Sequence, residues 1–259
     1  MKVVILCGGQ GTRIRGVDDN LPKPMLPIGN LPILFHLMNY YANFGHKEFI
    51  LCAGYKASVI KNFFMNYRAL ARDFTIDFSN NGDISFHDGV AEIDWKVTIV
   101  DTGDETQTGS RVKRIQPYIG HDENFMLTYG DGLSNIPIDK LIEFHQSHGR
   151  ILTISGVRPP SRFGEIETDE VGQVVEFNEK PQTTGGRISG GFFVCSHKLF
   201  DYLSPNRSDE ILEAACMRQI TSDNQLMMYR HDGFWQCMDT FRDFALLNDL
   251  WSSGKAVWR

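Results

Sequence analysis

The chain of 259 residues predicts an α/β fold: a Rossmann-like, mostly parallel sheet flanked by helices, with an additional small β-rich layer. Three observations predict it. Short apolar runs rich in β-branched residues recur along the first 160 residues, and segments with apolar residues at helical spacing separate them. After residue 163 the pattern changes to short alternating segments with turns. Because strand and helix alternate in the first part, right-handed crossovers and parallel strands are expected there.

The predicted elements can be placed in order along the chain. Buried strands are predicted at residues 3–7, 49–53, 97–100, 125–129 and 151–157. Helices are predicted where apolar residues recur three or four positions apart, in the segments 34–41, 59–67 and 138–145. A last helix is predicted at 240–254, with an inward face formed by Phe241, Ala245, Leu246 and Leu250.

The β-rich layer is predicted from two segments that follow residue 163. FGEIETDEVGQVVEFNEKP alternates and turns like a hairpin, and GGFFVC reads as one more strand. No low-complexity linker separates these segments from the rest, so the chain is predicted to form a single domain over residues 1–259.

Composition narrows the class of protein. The net charge of -6 argues against broad nucleic-acid binding, since a protein that binds the phosphate backbone usually has a basic face. None of the five cysteines forms a CxxC pair, so we expect free, buried thiols and a cytoplasmic location rather than a zinc site. No segment approaches the roughly 20 apolar residues of a membrane span, and the first residues are too short an apolar run for a secretory signal.

The segment LCGGQGTRIR, residues 6–15, combines a strand end with a glycine-rich turn. It fits neither the Walker A pattern nor the dinucleotide fingerprint, because Ile14 stands where the latter needs a small residue. Glycines allow main-chain amides to approach an anion, and Arg13 adds a bidentate phosphate contact. A strand-to-helix turn without any ligand is an equally good interpretation of the glycines alone.

Lys23 lies between Pro22 and Pro24, which we expect to hold the main chain extended and the lysine in one place. A surface lysine between two turn-forming prolines is the alternative. Together with the glycine loop about ten residues earlier, phosphate binding is favoured.

Two aspartates are candidates for a metal site. Asp131 follows the apolar run FML in TYGDG, at the carboxyl end of a predicted parallel strand, where open α/β sheets bind ligands. Asp239 precedes the last helix in GFWQCMDTFRD. An Asp-Gly turn explains the first equally well, and Asp239 or Thr240 could be only the N-cap of the helix.

The two-part pattern GGxGTRI...KPM resembles the amino-terminal signature of the sugar-nucleotide pyrophosphorylases, which transfer a nucleotide to a sugar 1-phosphate. The resemblance implies that the loop binds the base and triphosphate and that Arg13 and Lys23 neutralise pyrophosphate. It also implies that Asp131 and Asp239 together hold a metal ion, Mg²⁺. The catalytic residues implied are thus Arg13, Lys23, Asp131 and Asp239.

Further motifs narrow the resemblance to the glucose-1-phosphate cytidylyltransferase branch of that family. They are AGYK (53–56), VDTGD (100–104), TYGDG (128–132), RFG (162–164), NEKP (178–181), GGFFV (190–194) and GFWQxMDTxRD (233–243). Arg111 matches the arginine of the TGGR element, here TGSR. The nucleotide site implied by the resemblance consists of Leu6, Cys7, Gly8, Gly9, Gly11, Thr12, Arg13, Lys23, Arg111, Thr128, Tyr129 and Gly130.

The same resemblance implies an acceptor site formed by Glu179, Lys180, Gly190 and Gly191. It implies that residues 1–160 bind the nucleotide and that residues 161–259 carry the acceptor-binding and oligomerisation elements of a homo-oligomer. Ser189 replaces the usual asparagine before the two glycines, and Cys7 replaces the usual alanine of the loop. Because the resemblance implies that Ser189 lies toward the acceptor or an oligomer contact, a phosphorylated acceptor other than glucose 1-phosphate stays open.

The sequence therefore predicts an enzyme that transfers CMP from CTP to a sugar 1-phosphate by direct in-line attack. A sugar phosphate is already an anion at neutral pH, so positioning and charge neutralisation replace a general base. Two alternatives stay open: the same chemistry with UTP or dTTP, and a non-catalytic sensor of nucleotides or sugar phosphates.

Overall fold

The computed structural model describes residues 1–11, 14, 17–18, 20–87, 93–159, 165–178 and 186–259. The strands in these parts are β1 (Val3–Leu6), β2 (Pro27–Ile28), β3 (Leu31–Pro32), β4 (Glu48–Ala53), β5 (Phe74–Asp77), β6 (Asp83–Phe86), β7 (Lys96–Asp101), β8 (Asn124–Tyr129), β9 (Gly132–Ser134), β10 (Leu152–Val157), β11 (Glu165–Thr168), β12 (Val174–Asn178), β13 (Ile188–Ser196), β14 (Leu226–His231) and β15 (Trp235–Cys237). The helices are α1 (Ile33–Asn43), α2 (Ala57–Met65), α3 (Tyr67–Ala71), α4 (Thr108–Arg114), α5 (Gln116–Ile119), α6 (Ile138–His148), α7 (Met217–Ser222) and α8 (Phe241–Ser252).

A central sheet of seven strands has the order β14-β10-β13-β8-β1-β4-β7. Strand β1 is parallel to both β4 and β8, β4 is parallel to β7, and β10 is parallel to β14. Among the strands of this sheet, β13 is the one that runs antiparallel to its two neighbours. The predicted α/β class with a mostly parallel sheet is confirmed.

Both faces of the sheet are covered, and this explains why its strands are apolar without alternation. In β1, Val3 and Ile5 contribute to one core, which also contains residues of α1, α2, α6 and α8. Val4 and Leu6 face the opposite core, with residues of α4, α5 and α7. Successive side chains of a strand point to opposite faces, so each strand feeds both cores.

The predicted β-rich layer forms only in part. Strands β11 and β12 pair as an antiparallel hairpin separate from the central sheet, as the alternation predicts. The GGFFVC segment instead lies within β13, between β8 and β10 of the central sheet. The reason is that the segment from Phe192 to Cys195 is apolar throughout and does not alternate with polar residues. All four residues are buried, so both faces of this strand must pack against other elements.

The inward face predicted for the last helix is wrong in part. Phe241 is 61% exposed and Leu246 is 41% exposed, whereas Leu247 is fully buried. Apolar residues occupy more than one face of this helix, and polar contacts select which one packs. The Asn248 side chain accepts from Gly29 N and donates to Pro27 O, which turns the helix toward β2.

Two further findings concern the expectations from composition. All five cysteines carry free thiols, and all but Cys237 are buried. In the described parts of the chain, we find no helix that combines the length and the apolar character needed to cross a membrane.

Candidate active site

A cleft of about 320 Å³ opens where β1 and β8 end, at the carboxyl edge of the parallel strands. This is the edge at which open α/β sheets bind ligands. Residues from five separate segments line the cleft: Leu6, Cys7, Gly8, Gly9, Gly11, Lys23, Pro24, Thr106, Gln107, Thr108, Arg111, Tyr129, Gly130, Asp131 and Asp239.

The glycine loop forms one wall of this cleft and leaves main-chain donors available. Two of its main-chain carbonyls accept hydrogen bonds from neighbouring segments: Gly8 O accepts from Tyr55 N, and Leu6 O accepts from Gly130 N. Within the described part of the chain, the N–H groups of Gly8, Gly9 and Gly11 donate to no acceptor. Gly11 has a φ of 61°, a conformation that favours glycine. Such a loop can cradle an anion.

Arg111 holds this loop from beneath. Arg111 is only 3% exposed. Its guanidinium donates four hydrogen bonds of 2.7 to 3.2 Å, to Gly8 O, Ala53 O, Asp104 O and Thr102 Oγ1. Burial lowers the pKa of Arg111 from its ordinary value, although an arginine stays charged in proteins. The buried cation therefore joins the glycine loop to the loop after β7, and adds positive charge behind the cleft.

A short antiparallel ribbon brings the two predicted metal ligands together. Strands β9 and β15 pair with Gly132 opposite Cys237, and Met238 N donates to Asp131 O at 2.8 Å. Asp131 and Asp239 are 108 positions apart, yet this register places them on adjoining strand ends. Both carboxylates contact the same Lys23 ammonium, Asp131 Oδ2 at 2.6 Å and Asp239 Oδ1 more closely still.

The first turn of α8 shows how Asp239 is oriented. The N-cap is Thr240, whose hydroxyl accepts from Asp243 N. Asp243 Oδ2 in turn accepts from Asp239 N and Thr240 N, which completes a capping box. Because Thr240 supplies the cap, the Asp239 carboxylate is directed into the cleft rather than consumed by the helix.

The main chain at Lys23 differs from the prediction. It is not extended but forms a 3₁₀ turn, Lys23–Met25, in which Met25 N donates to Pro22 O. A proline at Pro24 is compatible with this turn because the first N–H groups of such a turn need no partner. The Lys23 side chain is 9% exposed. Burial by itself would lower the pKa of Lys23, but Asp131 and Asp239 outweigh burial, so the pKa is raised and the ammonium stays charged.

The carboxylate pair fits a divalent cation. Among the described residues no cluster of three or more His, Cys, Asp or Glu side chains forms a metal site. Mg²⁺, however, is commonly held by one or two carboxylates together with substrate phosphates and water. Asp131 and Asp239 already meet around one positive charge, and the donors of the glycine loop lie in the same cleft.

A second cavity of about 490 Å³ adjoins the first, and Asp239 borders both. Its other lining residues include both apolar and polar side chains: Pro159, Ile188, Trp235, Gln236, Cys237, Thr240, Arg242, Asp243 and Leu246. Trp235 Nε1 donates to Gly190 O at 2.7 Å, which links this cavity to β13. Burial, and next the charge of Asp239, raise the pKa of Cys237 to about 12, so its side chain stays a neutral thiol.

The structure places the remaining predicted residues as follows. Thr128 is buried in β8 and does not line the cleft. Gly190 and Gly191 are also buried, and a side chain at Gly191 would meet the Tyr129 ring at 2.5 Å. Four predicted residues lie outside the described residues: Thr12, Arg13, Glu179 and Lys180.

Four residues line the cleft without having been predicted as site residues: Pro24, Thr106, Gln107 and Thr108. Thr106 and Gln107 lie in the loop after β7, the strand that pairs in parallel with β4, and Thr108 is the first residue of α4. The rule that ligands bind at the carboxyl ends of parallel strands could have indicated this segment. The polar sequence of the loop does not indicate which of its residues face the cleft.

Sequence comparison gives the relatives of the chain. A model of the protein family described as Nucleotidyl transferase matches residues 2–251. The chain is 42% identical to a glucose-1-phosphate cytidylyltransferase of Salmonella typhi over 259 residues, which covers 100% of this chain and 99% of that protein. It is also 42% identical, with the same coverage, to a probable glucose-1-phosphate cytidylyltransferase of Bacillus subtilis.

Structural comparison supports the fold. The crystal structure of HddC from Yersinia pseudotuberculosis, complexed with GMP-PN, aligns with a TM-score of 0.69 at 24% identity, covering 96% of this chain and 99% of that one. The substrates of the nucleotidyl transferases are a nucleoside triphosphate and a sugar phosphate, and these proteins generally use divalent metal ions.

Proposed function

The chain belongs to the nucleotidyl transferase family, and we propose that it transfers CMP from CTP to glucose 1-phosphate, releasing pyrophosphate and CDP-glucose. One observation carries this proposal most: Lys23, Asp131 and Asp239 meet in the cleft that the glycine loop borders. The relatives named as glucose-1-phosphate cytidylyltransferases match over the full chain and support the choice of CTP and of the acceptor.

Each group of the cleft has a task in this reaction. The amides of Gly8, Gly9 and Gly11 bind the triphosphate, and Lys23 neutralises the charge of the departing pyrophosphate. Asp131 and Asp239 hold Mg²⁺, which supplies charge neutralisation at the α-phosphate when it is bound. Arg13 adds a second phosphate contact in this proposal.

The acceptor occupies the second cavity, where Asp239 marks the boundary with the nucleotide. In this arrangement residues 1–160 bind CTP, and residues 161–259 supply the acceptor side, including Glu179 and Lys180. Gly190 and Gly191 do not line the second cavity; Gly190 O instead accepts from Trp235, which does. The anionic sugar phosphate attacks the α-phosphorus directly, because its oxygen needs no base to become nucleophilic. The chain contributes by positioning the two anions and by reducing their repulsion.

The test is pyrophosphate release with each of four nucleoside triphosphates and a panel of sugar phosphates. We expect release with CTP and glucose 1-phosphate, and we expect Asp131→Asn and Asp239→Asn each to lower kcat by at least about 100-fold. Asp249→Asn, an exposed change on α8, is the matched control and should retain activity. Turnover only with UTP or dTTP would contradict the assignment of cytosine as the base. Ligand binding without turnover for any combination of nucleotide and sugar phosphate would favour a sensor.

We also propose that the chain acts in the cytoplasm as a homo-oligomer. Five free thiols are the state expected in a reducing compartment. Strands β5 and β6 form a hairpin whose apolar side chains face water, among them Phe78 at 84% and Ile84 at 55% exposure. Exposed apolar groups concentrated on one element are typical of protein contacts.

Light scattering tests the oligomer. Phe78→Ser combined with Ile84→Ser should lower the mass in solution, whereas Val171→Ser should not, since Val171 is as exposed but lies at the turn of the other hairpin. A monomeric wild-type protein at micromolar concentration would contradict this proposal.

A further inference from the structure

The Lys23 ammonium lies where a cation shared by Asp131 and Asp239 would lie. Its Nζ donates to Asp131 Oδ2 at 2.6 Å and to Asp239 Oδ1. The three charged groups sum to one negative charge. A divalent cation needs these same carboxylates, and a positive ammonium beside it would repel it.

The stem of Lys23 shows where the ammonium can go. A side chain at Gly11 would meet Lys23 Cβ at 2.9 Å and Cδ at 3.6 Å, so the stem runs alongside the glycine loop. The cleft that contains Lys23 also contains the N–H groups of Gly8, Gly9 and Gly11 that have no acceptor among the described residues. A triphosphate bound by those amides would offer oxygens to the ammonium within a rotation of its side chain.

We propose that Lys23 couples metal binding to nucleotide binding by exchanging partners. Without ligands its ammonium occupies the cation position between Asp131 and Asp239; with the triphosphate bound it moves to the phosphate oxygens and opens that position to the divalent cation. This rests on the proposed function only in taking a triphosphate as the ligand. The exchange keeps the two half-buried carboxylates paired with a positive charge in both states, since removing charges from water without a partner is costly.

The exchange makes metal and triphosphate bind cooperatively. A metal ion alone must displace the ammonium without offering it a new partner, so it binds weakly. A triphosphate provides that partner, and each ligand therefore raises the affinity for the other by the same factor. Removing the ammonium should strengthen metal binding to the nucleotide-free protein, although the same change removes a phosphate contact.

Binding of Mn²⁺ to the nucleotide-free protein tests this directly, measured by electron paramagnetic resonance of free Mn²⁺. We expect Lys23→Met to bind Mn²⁺ at least about tenfold more tightly than the wild type, and Lys23→Arg, which retains the positive charge, to bind it as weakly as the wild type. Lys47→Met is the matched control, because Lys47 also pairs with an aspartate, Asp94 at 2.7 Å, but on the surface. It should leave Mn²⁺ affinity unchanged.

Two results would overturn the proposal. One is Mn²⁺ affinity in Lys23→Met that does not exceed that of the wild type, with Lys23→Gln giving the same answer should the first variant fold poorly. The other is tighter binding in Lys23→Met that survives the addition of Asp131→Asn, since the cation would then be held elsewhere. Neither measurement requires turnover, so an error in the assigned nucleotide or acceptor would leave this outcome unaffected.

Discussion

At the scale of single residues, the close contact between Gly8 and Arg111 determines the shape of the cleft at the glycine loop. A methyl group at Gly8 would stand 2.2 Å from Arg111 Nη1, whereas a methyl group at Gly9 would meet nothing within 4 Å. Neighbouring glycines of one loop thus serve different ends. Gly8 is required by the protein's own packing, and the space at Gly9 is left for a ligand.

We expect Gly8→Ala to destabilise the fold and Gly9→Ala to leave it nearly unchanged while weakening nucleotide binding. The first change must push aside a guanidinium held by four hydrogen bonds, which we expect to cost about 2 to 4 kcal/mol. Urea denaturation and nucleotide titration of both variants measure the two effects. Equal stability of the two variants would contradict this difference.

Arg111→Met should lower the free energy of unfolding by a similar amount, about 2 to 4 kcal/mol, because it removes four hydrogen bonds of a buried guanidinium. Gly8 O and Ala53 O keep their main-chain donors, Tyr55 N and Thr102 N, whereas Asp104 O loses the Arg111 donor. Arg218→Met on exposed α7 is the control. The double variant Gly8→Ala, Arg111→Met should cost much less than the sum, since both changes remove one contact. If the free-energy costs of Gly8→Ala and Arg111→Met were additive, the clash at Gly8 would not involve the Arg111 guanidinium.

At the scale of elements, the capping box of α8 connects helix stability to the site. Thr240 and Asp243 complete the capping box, and Asp243 Oδ2 also accepts from Asp239 N. A disturbance of the cap is therefore also a disturbance of a carboxylate that borders both cavities.

Thr240→Val should cost about 1 kcal/mol of stability through the lost cap and should also lower kcat by moving Asp239. Thr221→Val is the matched control, because the Thr221 hydroxyl only bonds to Met217 O within its own helix. Denaturation and pyrophosphate release are measured for both. A Thr240→Val enzyme with reduced stability but unchanged kcat would show that the cap does not position Asp239.

The elements also show what could be predicted from the sequence. The strands and helices of the first 160 residues carry strong local patterns, and the cleft at their carboxyl ends follows from parallel pairing. Asp131 could be placed there for that reason. The approach of Asp239 was implied only by the family resemblance and by no local pattern, because it depends on the pairing of Gly132 with Cys237 across a sequence separation of 105, and both strands have only three residues.

A second limit concerns segments with apolar residues on several faces. GGFFVC enters the central sheet and α8 turns Leu247 inward because of cover and polar contacts supplied by distant residues. The turn at Lys23 was likewise not evident, since two prolines are compatible with both extended and 3₁₀ conformations. The roles of all the predicted site residues stay predictions, and Arg13, Glu179 and Lys180 also lie outside the described residues.

At the scale of the whole molecule, buried histidines should make the fold sensitive to acid. Burial, together with the charge of His148, lowers the pKa of His145 to about 4, and burial also lowers the pKa of His36 and of His231. His145 lies on the buried side of α6, where its Nδ1 contacts Thr153 Oγ1 of β10 at 2.8 Å. An unfolded histidine titrates near 6.5, so the unfolded chain takes up the proton first as the pH falls.

Stability should accordingly be full above about pH 6.5 and decline as the pH falls toward 4, with His145 accounting for roughly 2 kcal/mol between pH 7 and 5. Denaturation at both pH values, compared between the wild type and His145→Gln, isolates this share. The variant should lose less stability than the wild type over this interval. His121→Gln, on the exposed surface, should lose as much as the wild type. Equal losses for all three proteins would exclude His145 as the cause.

The ribbon of β9 and β15 has a consequence for the order in which the protein becomes competent. A chain synthesised only through residue 230 already contains the glycine loop, Lys23, Arg111 and Asp131, but it lacks Asp239, the carboxylate that the ribbon brings to Asp131. Until the ribosome adds β15 and Asp239, one aspartate faces the Lys23 ammonium alone. If these two aspartates hold a divalent cation, as we propose, that ability arises only near the end of translation, when Asp239 has been added.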